Sequence, residues 1–172
     1  MELERIQSNR INLRPIRDDD LVNVFKGLSN KEVTHYYAVH FETLEATAEQ
    51  MGWYNDLIQN DTGVWWTICI NDEFTGAIGF NDWDKQKASA EIGFWLLPEY
   101  WKKGYVSEAL PMVIEYGFSK LGLGKIEAFV EVDNLASKNV LDKAGFNFEK
   151  TMQDCELKNG QPIGLDLYAK LK

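Results

Sequence analysis

One segment restricts this chain more than any other: residues 90–118, AEIGFWLLPEYWKKGYVSEALPMVIEYGF. Its first part alternates and stops at Pro98, which predicts a strand over 90–97. A short loop passes through Lys102, Lys103 and Gly104, and an amphipathic pattern begins at once. Val106, Ala109, Leu110, Val113, Ile114, Gly117, Phe118 and Leu121 recur at helical spacing and form one continuous apolar face. Glycine at a strand-to-helix turn lets the backbone approach a ligand closely. The unpaired amides that open a helix then favour negative charge. A chain with few fixed cations can hold a pyrophosphate this way. Glu108 lies near the positive helix end, where a carboxylate is favoured. Pro111 conflicts with the pattern and is expected to bend the helix or confine strain to its first turns.

A second segment, NLASKNVLDKAGF over 134–146, opens on polar side chains. It predicts a helix from about Ala136 that stops at Gly145, a natural left-handed residue. Between the two segments, residues 125–132 alternate: Ile126, Ala128, Val130 and Val132 on one face, Glu127, Phe129 and Glu131 on the other. RINLRPI predicts a first strand. Asp18, Asp19 and Asp20 offer an N-cap and an acidic first turn to a helix through Leu21, Val24, Phe25 and Leu28. Thr43 gives a partial start signal for a helix over 43–59. Residues 64–70 and 75–80 read as paired strands across Asn71, Asp72 and Glu73, and 146–157 and 163–171 as closing strands around Lys158-Asn159-Gly160-Gln161. This order predicts a single α+β domain over 1–172 with a mixed, largely antiparallel sheet.

The formal net charge is −9, with no basic footprint of the kind that nucleic-acid binding needs. An acidic surface suits a cationic partner such as an amine, or simply keeps a protein soluble. Cys69 sits in the apolar run VWWTICI and reads as a small core residue; with Cys155 far away, no disulfide scaffold is expected. MELERIQSNR lacks the apolar core of a secretion signal, and no apolar run reaches spanning length. A cytoplasmic protein without membrane contact is the expectation.

In this order and spacing, INLRPI, AEIGFWLLPEYWKKGYVSEAL, NLASKNVLDKAGF and KNGQ…DLYAKL resemble the GNAT superfamily of acetyl-CoA-dependent N-acetyltransferases. The chain is most similar to the bacterial subgroup of ribosomal-protein N-terminal (serine/alanine) acetyltransferases, with spermidine acetyltransferases as near relatives. The resemblance implies the GNAT (acyl-CoA N-acyltransferase) fold. There, two central strands splay apart with CoA in the gap; here they would be 90–97 and 125–132. It implies backbone contacts to the acetyl-pantetheine arm at Leu96 and Leu97. It implies pyrophosphate contacts at Lys102, Lys103, Gly104, Tyr105, Val106 and Ser107. Trp101 and Val106 depart from the family's Gln/Arg-x-x-Gly-x-Gly/Ala loop. Asn134, Ser137 and Asn139 carry over as further cofactor contacts. The tyrosine acid of many members is replaced by Leu141, and Ser137 is the subgroup's usual candidate near the CoA sulfur. A homodimer is implied by resemblance alone.

Direct acetyl transfer needs an amine that loses a proton, a donor for the thioester carbonyl and a stabilised thiolate. The Leu96 amide suits the carbonyl. Ser137 reads either as a donor to the thiolate or as a helix N-cap. Glu91 reads either as the base, acting through water, or as an exposed strand carboxylate; Glu131 is a second candidate. Tyr36, Tyr37, His40 and Asn81 are candidate acceptor contacts, with His35 in the same THYYAVHF segment. The two histidines do not share a helical face, so no metal site is expected. Trp65, Trp66, Phe94 and Trp95 read as packing residues. An N-terminal α-amine has a pKa of about 7.7–8.0 against about 10.4 for lysine, so lysine costs roughly 3–4 kcal/mol more to deprotonate near neutrality. The lack of an obvious strong base favours an α-amine acceptor. The alternatives are a polyamine, amino-acid or antibiotic acetyltransferase, and a CoA-binding module without turnover.

Overall fold

The computed structural model describes residues 3–172. Eight strands form one sheet in the order β1-β2-β3-β4-β5-β6-β8-β7. They are β1 (Ile6–Gln7), β2 (Asn12–Pro15), β3 (Val64–Ile70), β4 (Glu73–Asp84), β5 (Ser89–Leu96), β6 (Lys125–Glu131), β7 (Asn147–Lys158) and β8 (Gln161–Leu171). Every neighbouring pair is antiparallel except β5–β6. Five helices cover the faces: α1 (Leu21–Leu28), α2 (Lys31–Thr34), α3 (Leu44–Gln59), α4 (Tyr105–Ser119) and α5 (Leu135–Lys143).

Strand alternation divides the core between the two faces. Trp66, Ile68, Ile78, Phe80, Ile92 and Ile126 pack against Leu110, Val113 and Ile114 of α4 and Leu141 of α5. Trp65, Ala77, Trp95 and Leu97 point the other way, against Val24, Leu28, Met51, Tyr54 and Leu57 of α1 and α3. Strand β3 is therefore buried along its whole length, which is why VWWTICI carries almost no polar residue. The α1 helix lies so close to β5 that a Cβ on Gly27 would stand 2.1 Å from the Trp95 ring.

Several elements depart from expectation. Strand β1 and the short α2 carry no periodic signal, being two and four residues long. The Asp18–Asp20 run is a 3-10 turn, not a side-chain cap of α1. Asp20 is buried and bonds Arg14 at 2.8 and 2.6 Å while accepting the Arg17 amide at 2.9 Å. It ties β2 to the turn. Pro111 is exposed, and α4 runs through it without a break. Its missing donor leaves only the Ser107 carbonyl without a helical partner. Thr43 caps α3 through the Ala46 amide at 3.1 Å, and Gly145 adopts φ +81° beyond α5. Asn159 and Gly160, both at positive φ, form a two-residue turn between β7 and β8.

Candidate active site

Strands β5 and β6 pair only at Ser89↔Lys125, Ala90↔Ile126 and Glu91↔Glu127. Both continue, but no longer together. In an antiparallel ladder, peptide groups point alternately to the two neighbours. The Leu97 amide donates to the Thr75 carbonyl at 2.9 Å, so Leu97, Trp95 and Gly93 face β4. Phe94 and Leu96 therefore turn their peptide groups towards β6. The Val132 amide donates to Gly164 at 3.1 Å, so Val130 and Ala128 face β8, and Phe129 and Glu131 turn theirs towards β5. These groups face each other across a widening gap. Leu97, expected beside Leu96 as a pantetheine contact, has its amide committed to Thr75 and its side chain in the core. The Trp101 indole N–H bonds the Leu96 carbonyl at 2.9 Å and ties the next loop back to the strand end.

That loop ends at Gly104, which has φ +79° and serves as the N-cap of α4. It has no side chain to satisfy the first amides. The helical ladder starts with the Glu108 amide donating to Gly104 at 3.1 Å, so the amides of Tyr105, Val106 and Ser107 precede it. Glu108 would weaken an anion site if its charge were free. Instead, the Ser8 hydroxyl at 2.5 Å and Arg10 at 2.7–2.8 Å hold it, in that order lowering its pKa. Arg10 also stacks on Tyr105, 5.0 Å from the ring centre. No local signal marks this arginine; it lies 98 residues before Glu108 in the chain. Lys102, at φ +59°, lines the cleft. Lys103 does not; its ammonium lies over the Tyr100 ring at 5.6 Å. Val106 is half-buried and packs on the core.

The cleft has a volume of about 1500 Å³. Asn134, Ser137 and Asn139 line it from the α4–α5 face. Ser137 is not the cap of α5. Asn134 is, accepting the Ser137 amide at 3.1 Å and donating its own Nδ2 to the Ser137 hydroxyl at 2.9 Å. Because that hydroxyl already accepts, its proton is free to point elsewhere.

Glu91, Glu127, Phe129 and Glu131 stand on the α1–α3 face, opposite Ala90 and Ile92. Glu91 is half-buried rather than exposed, and its pKa is raised from 4.5 to about 7. Burial is the main cause, followed by the charge of Asp82; a hydrogen bond from Asn81 opposes them, and Glu156 and Glu127 add further repulsion. Asn81 also donates to Asp82 at 3.0 Å. Glu131 carries an ion pair to Lys158 and is committed to that ammonium rather than open to an external amine. Tyr36 and Tyr37 line the same side; burial holds the Tyr37 phenol well above its usual pKa. His40 does not line it. Its ring bonds Thr34 at 2.9 Å and Glu42 at 3.2 Å, a structural role. Trp65, Phe94 and Trp95 pack in the core or against it and line the cleft as well, whereas Trp66 is core alone.

A family model described as an acetyltransferase (GNAT) domain matches residues 10–147. The chain belongs to the GNAT acetyltransferase family. This acetyltransferase is 36% identical to N-acetyltransferase YoaA of Bacillus subtilis, over 97% of its own length and 96% of that protein's. It is 26% identical to the spermidine N(1)-acetyltransferase of Escherichia coli K12, covering 90% of this chain and 82% of that one. Among solved structures, the ribosomal L7/L12 alpha-N-protein acetyltransferase RimL in complex with coenzyme A superposes with a TM-score of 0.89. The superposition covers 98% of each chain at 23% identity, a likeness of fold. The acetyltransferase has the GNAT fold, as the order of motifs implied.

Proposed function

We propose that this acetyltransferase moves an acetyl group from acetyl-CoA directly to a primary amine, and that a protein N-terminal α-amine is the acceptor it suits best. The observation that carries the reading is the parting of β5 and β6 after Glu91↔Glu127, beside a glycine-capped helix start. The free amides of Tyr105, Val106 and Ser107 suit a pyrophosphate. The Phe94 peptide edge suits the amides of a pantetheine arm, and of Leu96 the amide remains open, its carbonyl being held by Trp101.

The gap passes between the two faces of the sheet, and this divides the labour. On the α4–α5 face, Ser137 has a proton to give a departing thiolate. At the gap, the Leu96 amide can hold the oxygen of a reacting carbonyl. On the α1–α3 face, Glu91 can take the amine proton, directly or through water. With a pKa of about 7 it is matched to an α-amine at about 7.7–8.0 and poorly matched to lysine at about 10.4. Nitrogen attack forms the amide, and the thiol departs.

A small di- or polyamine is the second reading. It is favoured by the carboxylates of Glu32, Glu49, Glu91 and Glu156 on the same cleft and by the spermidine-acetylating relative. Thiol release from acetyl-CoA, measured against N-terminal peptides, polyamines and aminoglycosides, tests both. Folded protein that releases no thiol with any amine would sink the enzyme reading, and calorimetry without acetyl-CoA binding would sink the site.

A further inference from the structure

We propose that Lys158 is a self-acetylation site: its ammonium lies in the acceptor half of the cleft and receives the acetyl group when no external amine is present. The inference rests on the reading of the gap as the acetyl-CoA site. Lys158 is the last residue of β7, where the hairpin to β8 reaches over the cleft. Its ammonium bonds the carboxylate of Glu131 and the carbonyl of His35, and lies 5.9 Å from the Tyr36 ring centre. Glu131 is the residue whose peptide group borders the gap opposite Leu96, and its side chain stands on the same face as Glu91. The hairpin thus presents a primary amine beside the gap, across from the Leu96 amide that should hold the reacting carbonyl. Three other lysines line the cleft at different places: Lys102 in the phosphate loop, Lys143 at the end of α5 and Lys31 at the start of α2. None of them has an ion pair to a gap-bordering strand among the described residues.

The chemistry balances without another reactant. Glu131 takes one proton from the ammonium and passes it to solvent. The nitrogen lone pair attacks the acetyl carbon, and the carbon–sulfur bond breaks with its electrons on sulfur. The second nitrogen proton ends on the thiolate, and CoA leaves as the thiol. Holding nucleophile and carbonyl in one cleft replaces an encounter with a unimolecular step. The product amide carries no charge, so the pair with Glu131 and the contact with Tyr36 are both lost, and the hairpin tip is released from α2 and its following loop.

The test is to incubate the full chain with isotope-labelled acetyl-CoA and no added amine, then digest it and map the label by mass spectrometry. The expected result is label on the Lys158 peptide, at a rate unchanged by dilution of the protein. Lys158→Arg should lose that label and keep its fold; Lys158→Gln is the second variant should arginine not be accommodated. Label spread over exposed lysines such as Lys87, falling with dilution, would overturn the proposal. So would an unlabelled Lys158 in protein that releases thiol with external amines, an outcome that leaves the acetyltransferase reading intact. Absence of acetyl-CoA binding would overturn both.

Discussion

Replacing Glu91 with glutamine should make this protein more stable above neutral pH while removing most of its activity. The carboxyl is pushed from 4.5 to about 7, first by burial and then by the charge of Asp82. A carboxyl raised in the fold holds its proton more tightly folded than unfolded. Between pH 4.5 and 7 the folded state therefore binds more protons, and stability falls as pH rises through that window. At about 1.36 kcal/mol per pH unit, the full effect is about 3 kcal/mol. Glu91 keeps some solvent exposure, so about 2 kcal/mol is the working figure. Glutamine keeps the shape, never ionises and should recover that amount at pH 8 but nothing at pH 4. Activity should move the other way, because a positioned base contributes roughly a hundredfold to ten-thousandfold. The wild-type kcat/KM should carry a Glu91 ionisation near pH 7 on its acid limb, and in the variant only the ionisation of the amine itself should remain there. Urea unfolding at pH 4 and pH 8, with kcat/KM across the same range, provides the measurement. A variant no more stable at pH 8, or one within about threefold of wild-type activity, would refute the reasoning that joins burial to base strength.

Ser137→Ala and Asn134→Ala separate chemistry from capping. The serine variant should lose kcat with its unfolding midpoint nearly unchanged, whereas Asn134→Ala should cost about 1 kcal/mol of stability as well, because the cap is the asparagine. Gly104→Ala should raise the KM for acetyl-CoA. It places a Cβ at φ +79°, at about 1–2 kcal/mol, in a spot where Arg10 at 3.8 Å is the nearest neighbour, so calorimetry should show the strain more clearly than any clash. Asp20→Ala leaves the half-buried Arg14 guanidinium without its bidentate partner, and chemical denaturation should record a loss of about 1.5–3 kcal/mol with little change in KM.

The sheet and its helices were legible because burial writes a period into the chain. Residues 125–132 alternate because β6 has one apolar face, and α4 repeats its apolar residues because one side meets β3 and β4. Gly145 was legible because a left-handed backbone selects glycine, and Gly104 because a strand-to-helix turn open to a ligand does; both have positive φ. What stayed hidden is of another kind. Leu96 and Leu97 are adjacent and chemically identical, yet one peptide group faces the gap and the other faces β4; only the register distinguishes them. Ser137 and Asn134 are both good caps by residue type, and the choice follows from where the first turn of α5 begins. Arg10, Trp101 and Lys158 are ordinary surface residues by sequence. Their positions come from contacts across 98, 5 and 27 residues, to Glu108, Leu96 and Glu131. A motif can disclose the backbone that grips a common cofactor, since that backbone needs particular residues. The proposed acceptor side is built by loops and hairpins meeting from distant parts of the chain, and no local pattern marks their side chains. This is why Glu131 reads as a free base in sequence and is a tethered carboxylate in the fold: its partner sits on a hairpin whose reach depends on the whole sheet being in place.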